Sequence, residues 1–178
     1  MNAELGFSRA STTYFDVAGP HNTDMTLDLA VDWAQTHGVE TIVVASTSGL
    51  TACRLAERLP KSFHDRIVIA RQRWSDDVPW EPEGLSELEG VARTHWIPPQ
   101  YLSSTTHPLV PMALRELSHG IKVSFECAHF MVANSFLPPL QNLLCVAGTR
   151  QGADSAVEIF VNEDFTLKLR SLLCLPKK

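Results

Sequence analysis

Four cysteines, Cys53, Cys127, Cys145 and Cys174, stand singly among apolar neighbours, and no two form a C-x-x-C pair. That spacing excludes zinc-ribbon and thioredoxin-type chemistry and leaves the thiols as small buried hydrophobes in a reducing compartment. Positive charge is thin as well. The formal net charge is -5, and no basic run exceeds Lys177-Lys178. A chain that holds nucleic acid does so by clustering Lys and Arg against phosphates, so no nucleic-acid partner is expected. No apolar run approaches the ~20 residues of a membrane span, and the first residues have neither the basic nor the apolar part of a secretory leader. The expectation is no membrane contact and a cytoplasmic location.

Several catalytic signatures are missing too. There is no G-x-x-x-x-G-K-[ST] phosphate loop, no G-x-G-x-x-G, no H-E-x-x-H and no G-x-S-x-G elbow. Glu126 and His129 share an E-x-x-H spacing, but one such pair is too few ligands for a metal, and none is expected.

What is present suits one compact domain over 1–178, with 1–11 as a flexible lead-in. The chain is 44% hydrophobic and 20% charged, ordinary for a globular fold. "TTYFDV" (12–17) reads as a first strand, and Gly19-Pro20 as a turn. Asn22 or Thr23 then caps a helix in which Leu27, Ala30, Val31 and Ala34 share one face, closed at Gly38. "ETIVVAS" has the length and apolarity of a strand buried on both faces. Ala52, Leu55, Ala56 and Leu59 stripe a second helix that Pro60 stops. "RIVIAR" is a third strand, 72–84 a loop, 85–93 a weak helix and "THWI" a short strand. An irregular polar stretch (98–108) precedes a helix from Pro108 to Gly120. "IKVSFECA" (121–128) reads as a strand, "HFMVANSFLPP" as a short helix, and "NLLCVAG", "SAVEIFVN" and "LKLRSLLCLP" as three closing strands. This order implies an α/β fold with a mainly parallel sheet, extended by antiparallel C-terminal strands.

In such sheets ligands sit beyond the carboxyl ends of the strands. Three candidates fall there. Ser46, Thr47, Ser48 and Gly49 join a strand to a helix whose first N–H groups are free and whose N-terminus carries partial positive charge; hydroxyls and a glycine at that point suit an anion. They equally suit a plain corner capped by Ser48. In "GTRQGAD", Gly148 and Gly152 bracket Arg150, whose guanidinium fork matches a phosphate or carboxylate, or simply faces water. Glu126, read at the end of the "KVSF" strand, is a candidate acid or base, or a structural carboxylate beside Lys122.

Together these segments resemble a small stand-alone family similar to the C-terminal domain of pyruvate kinase. The likeness rests on Gly19, Asn22-Thr23, Thr26-Leu27, the strand into Ser46, Gly49, Thr51-Ala52, Gly120, Lys122-Val123, Glu126, Gly148 and Gly152-Ala153-Asp154. It implies a three-layer α/β domain. In pyruvate kinases the comparable turn and a late G-x-R-x-G loop help hold the phosphates of a sugar bisphosphate. The resemblance therefore implies that Gly19, Asn22, Ser46 to Gly49, Thr51, Glu126, Gly148, Thr149, Arg150, Gly152 and Asp154 surround one small phosphorylated ligand. Members of the small family are associated with flavin mononucleotide (FMN), the cofactor the resemblance implies here. They lack the barrel of pyruvate kinase, so no pyruvate kinase activity is expected. The chain departs from the family in Val17-Ala18-Gly19 for Lys-Pro-Gly, in "WIPPQYLSSTTHPLVP" (96–111) for a longer Gly-, Ser- and Arg-bearing stretch, and in "CAHFM" after Glu126. Besides a binding protein, two readings stay open: an enzyme using that ligand with Glu126 as acid–base group, and a self-associating structural module.

Overall fold

The computed structural model describes residues 11–72, 88 and 92–177. Most of the expected lead-in, the 72–84 loop beyond Gln72, which ends β3, and most of the 85–93 helix lie outside them. Seven strands form one sheet: β1 (Thr13–Phe15), β2 (Thr41–Ala45), β3 (Ile67–Gln72), β4 (Arg93–Ile97), β5 (Gln141–Ala147), β6 (Ser155–Val161) and β7 (Leu167–Pro176). Their order is β1-β7-β6-β5-β2-β3-β4. All run one way except β6, which is antiparallel to both β5 and β7. The expected α/β fold, mainly parallel with antiparallel C-terminal strands, is what forms.

The sheet lies between two helical layers. On one face sit α1 (Thr23–His37) and α2 (Leu50–Arg58), whose Leu27, Ala30, Ala34, Ala52 and Leu55 are fully buried against Ile42, Val44, Ile67, Ile69, Leu144 and Val146. Gly38 ends α1 in a left-handed conformation, as the spacing predicts. The expected side-chain caps do not form. A 3-10 turn (Pro20–Asn22) precedes α1, and the Asn22 amide turns back to donate to the Val17 carbonyl at 2.7 Å.

The other face holds the main departure. Residues 121–128 are no strand: they belong to α5 (His119–Ala133), which buries Ile121, Ala128, Met131 and Val132 against Val43, Val68, Leu143, Cys145 and Val157. Short α3 (Tyr101–Thr105), within the stretch read as irregular, and α4 (Leu109–Leu117) lean on α5. The expected helix to Gly120 stops at Ser118, which is extended and whose hydroxyl caps α5 by accepting from Ile121 N–H at 3.0 Å. Alternating polar and apolar residues mimicked a strand, yet a helix buried on most sides makes nearly every position apolar or paired. Lys122 and Glu126 are one helical turn apart and form an ion pair at 2.5 Å.

Among the described residues no helix is long and apolar enough to cross a membrane.

Candidate functional site

The carboxyl edge of the sheet carries the loops after β1, β2 and β5. They fall into two neighbouring clusters with opposite character.

The first is organised by Asp154, fully buried just ahead of β6. Its Oδ2 accepts from Gly19 N–H at 3.0 Å and Thr149 N–H at 3.2 Å, and its Oδ1 from the Ser155 hydroxyl at 3.1 Å. Ser155 in turn shares a 3.0 Å hydrogen bond with Ser118 at the start of α5. Thr23 Oγ1 donates to the Pro20 carbonyl and accepts from Ala153 N–H at 3.0 Å. Gly152 has φ 72° here, and a Cβ on it would run into Thr23 Oγ1 and Pro20. A side chain would be both strained and blocked. Asp154 thus locks the loop after β1, the β5–β6 hairpin and α5 together. Gly19, Asn22, Gly148, Thr149, Gly152 and Asp154 converge as the sequence suggests, but their polar atoms mostly serve one another.

The second cluster lies one strand across. Val44 pairs with Val146 and Ala45 with Ala70, so Ser46 follows in register between Gly148 and Arg71. Ser46 is buried, and its N–H donates to the Ala70 carbonyl at 3.0 Å. Its hydroxyl, also buried, has no hydrogen-bond partner. Such an orphan costs roughly 1–3 kcal/mol, so native proteins keep few of them. Gly49 is the residue before α2, with φ 94°, a conformation glycine adopts without Cβ strain. Ser48 caps weakly, at 3.5 Å from Leu50 N–H. Thr51 is buried in the first turn of α2. The free N–H groups of this nine-residue helix therefore face the same turn as the orphan hydroxyl.

Arg71, which sequence reasoning passed over, braces this turn. Its Nε donates to the Thr47 carbonyl at 2.8 Å, and its guanidinium lies 4.3 Å from the centre of the Trp96 ring. An arginine ending a buried strand at the carboxyl edge was the available signal. Arg150 is exposed and unusual in its own backbone, with φ 71°.

Glu126 is not at a strand end. It lies inside the second helical layer, fully buried, with Oε2 on Lys122 Nζ and Oε1 accepting from Leu102 N–H at 2.9 Å. Both oxygens are engaged and no atom reaches solvent, so its work is to pin α3 onto α5. Burial pushes the thiols of Cys127 and Cys145 well up, and that of Cys174 up to about 11, which removes them as nucleophiles. Burial holds the His119 and His129 imidazoles below their ordinary value, with Lys122 and Arg115 adding to the effect at His119. Among the described residues no three His, Cys, Asp or Glu side chains group as metal ligands do.

No protein-family model matches the chain. Among solved structures it is similar to a pyruvate kinase from Cryptosporidium parvum, at 14% identity over 83% of this chain and 22% of that one, with a TM-score of 0.41. A second structure of the Cryptosporidium parvum pyruvate kinase, in complex with ADP, gives 14%, 83%, 23% and 0.42. The chain thus spans under a quarter of those proteins, whose activity and nucleotide are theirs.

Proposed function

We propose that this protein binds a small phosphorylated molecule at the 46–51 turn, with FMN as the first ligand to test. The observation that carries this reading is the buried, unpartnered hydroxyl of Ser46 beside the N-terminus of α2. A phosphate oxygen there would satisfy that hydroxyl and the helix N–H groups at once, in the field of the helix dipole. Arg71 holds the turn through the Thr47 carbonyl, and Arg150, exposed in the neighbouring β5–β6 hairpin, is a second arginine in the loops of this edge. The Asp154 cluster is the frame that fixes the hairpin, and no reaction is assigned to the site.

The test is the visible spectrum of freshly purified protein, followed by titration with FMN, riboflavin and a sugar phosphate. The reading expects phosphate esters to bind and riboflavin, which has no phosphate, to bind at least about tenfold more weakly. Ser46→Ala with Arg150→Ala should weaken the phosphate esters without lowering the thermal midpoint. Failure of every phosphate ester to bind, or equal binding of riboflavin and FMN, overturns it.

A further inference from the structure

A second opening lies towards the other edge of the sheet, where the C-terminal half of α1 overhangs β7 and β6. It is a cleft of about 730 Å³, within the range of small-molecule sites. Its walls include Leu29 and Trp33 of α1, Glu158 of β6, and Arg170 and Leu173 of β7. Of its uncommitted polar groups, two belong to the more enclosed residues. The indole Nε1 of Trp33 is buried and donates to nothing. Glu158 is 8% exposed, and its carboxylate takes part in no hydrogen bond or ion pair among the described residues. Glu158 stands opposite Leu144 and Ser171 in the sheet, which puts its side chain on the α1 face. A buried donor without a partner is costly, and here it shares a cleft with a carboxylate that has no partner among the described residues.

Their chemistry specifies an occupant. Glu158 asks for a donor, best a cation. Trp33 Nε1 asks for an acceptor, and Arg170, exposed on the same wall with its guanidinium 4.8 Å from the centre of the Phe160 ring, asks for an anion. Leu29, Leu173 and the indole, stacked on His37 at 3.6 Å, give an apolar surface between them. We propose that this cleft is a binding site for a free α-amino acid, with its ammonium on Glu158, its carboxylate on Trp33 Nε1 and Arg170, and an apolar side chain against Leu29 and Leu173. The site is independent of the 46–51 turn. A neutral sugar would leave the Glu158 charge unpaired, and a phosphate would meet that carboxylate as a like charge.

The experiment follows the Trp33 indole N–H by ¹H–¹⁵N NMR of the full chain, assigned by its loss in Trp33→Phe. Each proteinogenic amino acid is added in turn up to about 50 mM, with leucinamide and N-acetyl-leucine as probes lacking one charge each. The result expected is a saturable shift with at least one apolar amino acid, weakened about tenfold or more by either blocked probe. Glu158→Gln should cost a similar factor while keeping the far-UV spectrum, and Ser46→Ala should change nothing. No shift with any amino acid, equal binding of the blocked probes, or undiminished binding to Glu158→Gln overturns the proposal.

Discussion

The Asp154 cluster and the Ser46 turn occupy adjacent strand ends yet treat their polar groups in opposite ways. Around Asp154 both carboxylate oxygens and the hydroxyls of Thr23, Ser118 and Ser155 are satisfied within the chain. At the turn, a hydroxyl equally deep has no partner and a helix presents its free N–H groups. The difference separates a committed scaffold from the turn proposed as a site. A satisfied network resists change, whereas an unsatisfied one has affinity to spare for something from outside.

Four changes sharpen or break that comparison. The largest effect belongs to the other fully committed pair: Lys122→Met should lower unfolding free energy by about 3–5 kcal/mol, because it strands the Glu126 charge in the interior. Adding Glu126→Leu should recover much of that loss, both read by urea denaturation. Asp154→Ala comes next, at about 2–3 kcal/mol, since it leaves the Gly19 and Thr149 N–H groups without their acceptor. The third is a pH slope. Burial holds the His119 and His129 imidazoles below the ordinary 6.5, so the folded state takes up protons less readily than the unfolded chain. Stability is then complete above that value and falls as the pH drops below it. His119→Asn should flatten the fall, measured as thermal midpoint against pH. The smallest effect is Ser46→Ala, a gain of about 1 kcal/mol, because it removes a buried hydroxyl that has no partner. A loss as large as that of Asp154→Ala would make the turn part of the scaffold and end the distinction.

Much of the fold could be read from the sequence because local patterns agreed with tertiary need. β2 is apolar from Ile42 to Ala45 and does sit between two parallel neighbours, and the α1 stripe of Leu27, Ala30, Val31 and Ala34 is the face it buries. Residues 121–128 failed because β-branched and alternating residues say only that a segment is buried, and α5 is buried nearly all round. That one reversal moved Glu126 from a strand end into a helix interior. The 46–51 turn was legible from its hydroxyls and glycine at a strand end. Asp154 was named as a ligand contact, but its commitment to Gly19 depends on a partner 135 positions away, which no local spacing reveals. Arg71 offered only its place near a strand end, because its partners Thr47 and Trp96 lie more than twenty positions away.

The pairing of β1 with β7 has a consequence in time. The Thr12 hydroxyl donates to the Leu172 carbonyl 160 positions later, and Thr13 lies opposite Cys174. The first helix also packs on Ala156, Leu173 and Cys174, which a ribosome delivers long after it. Until those strands are made, the part of the α1 stripe that they cover stays exposed. Closing so long a loop before any reward arrives slows folding and lengthens exposure to aggregation. For this chain, the sheet cannot close until β7 has been made.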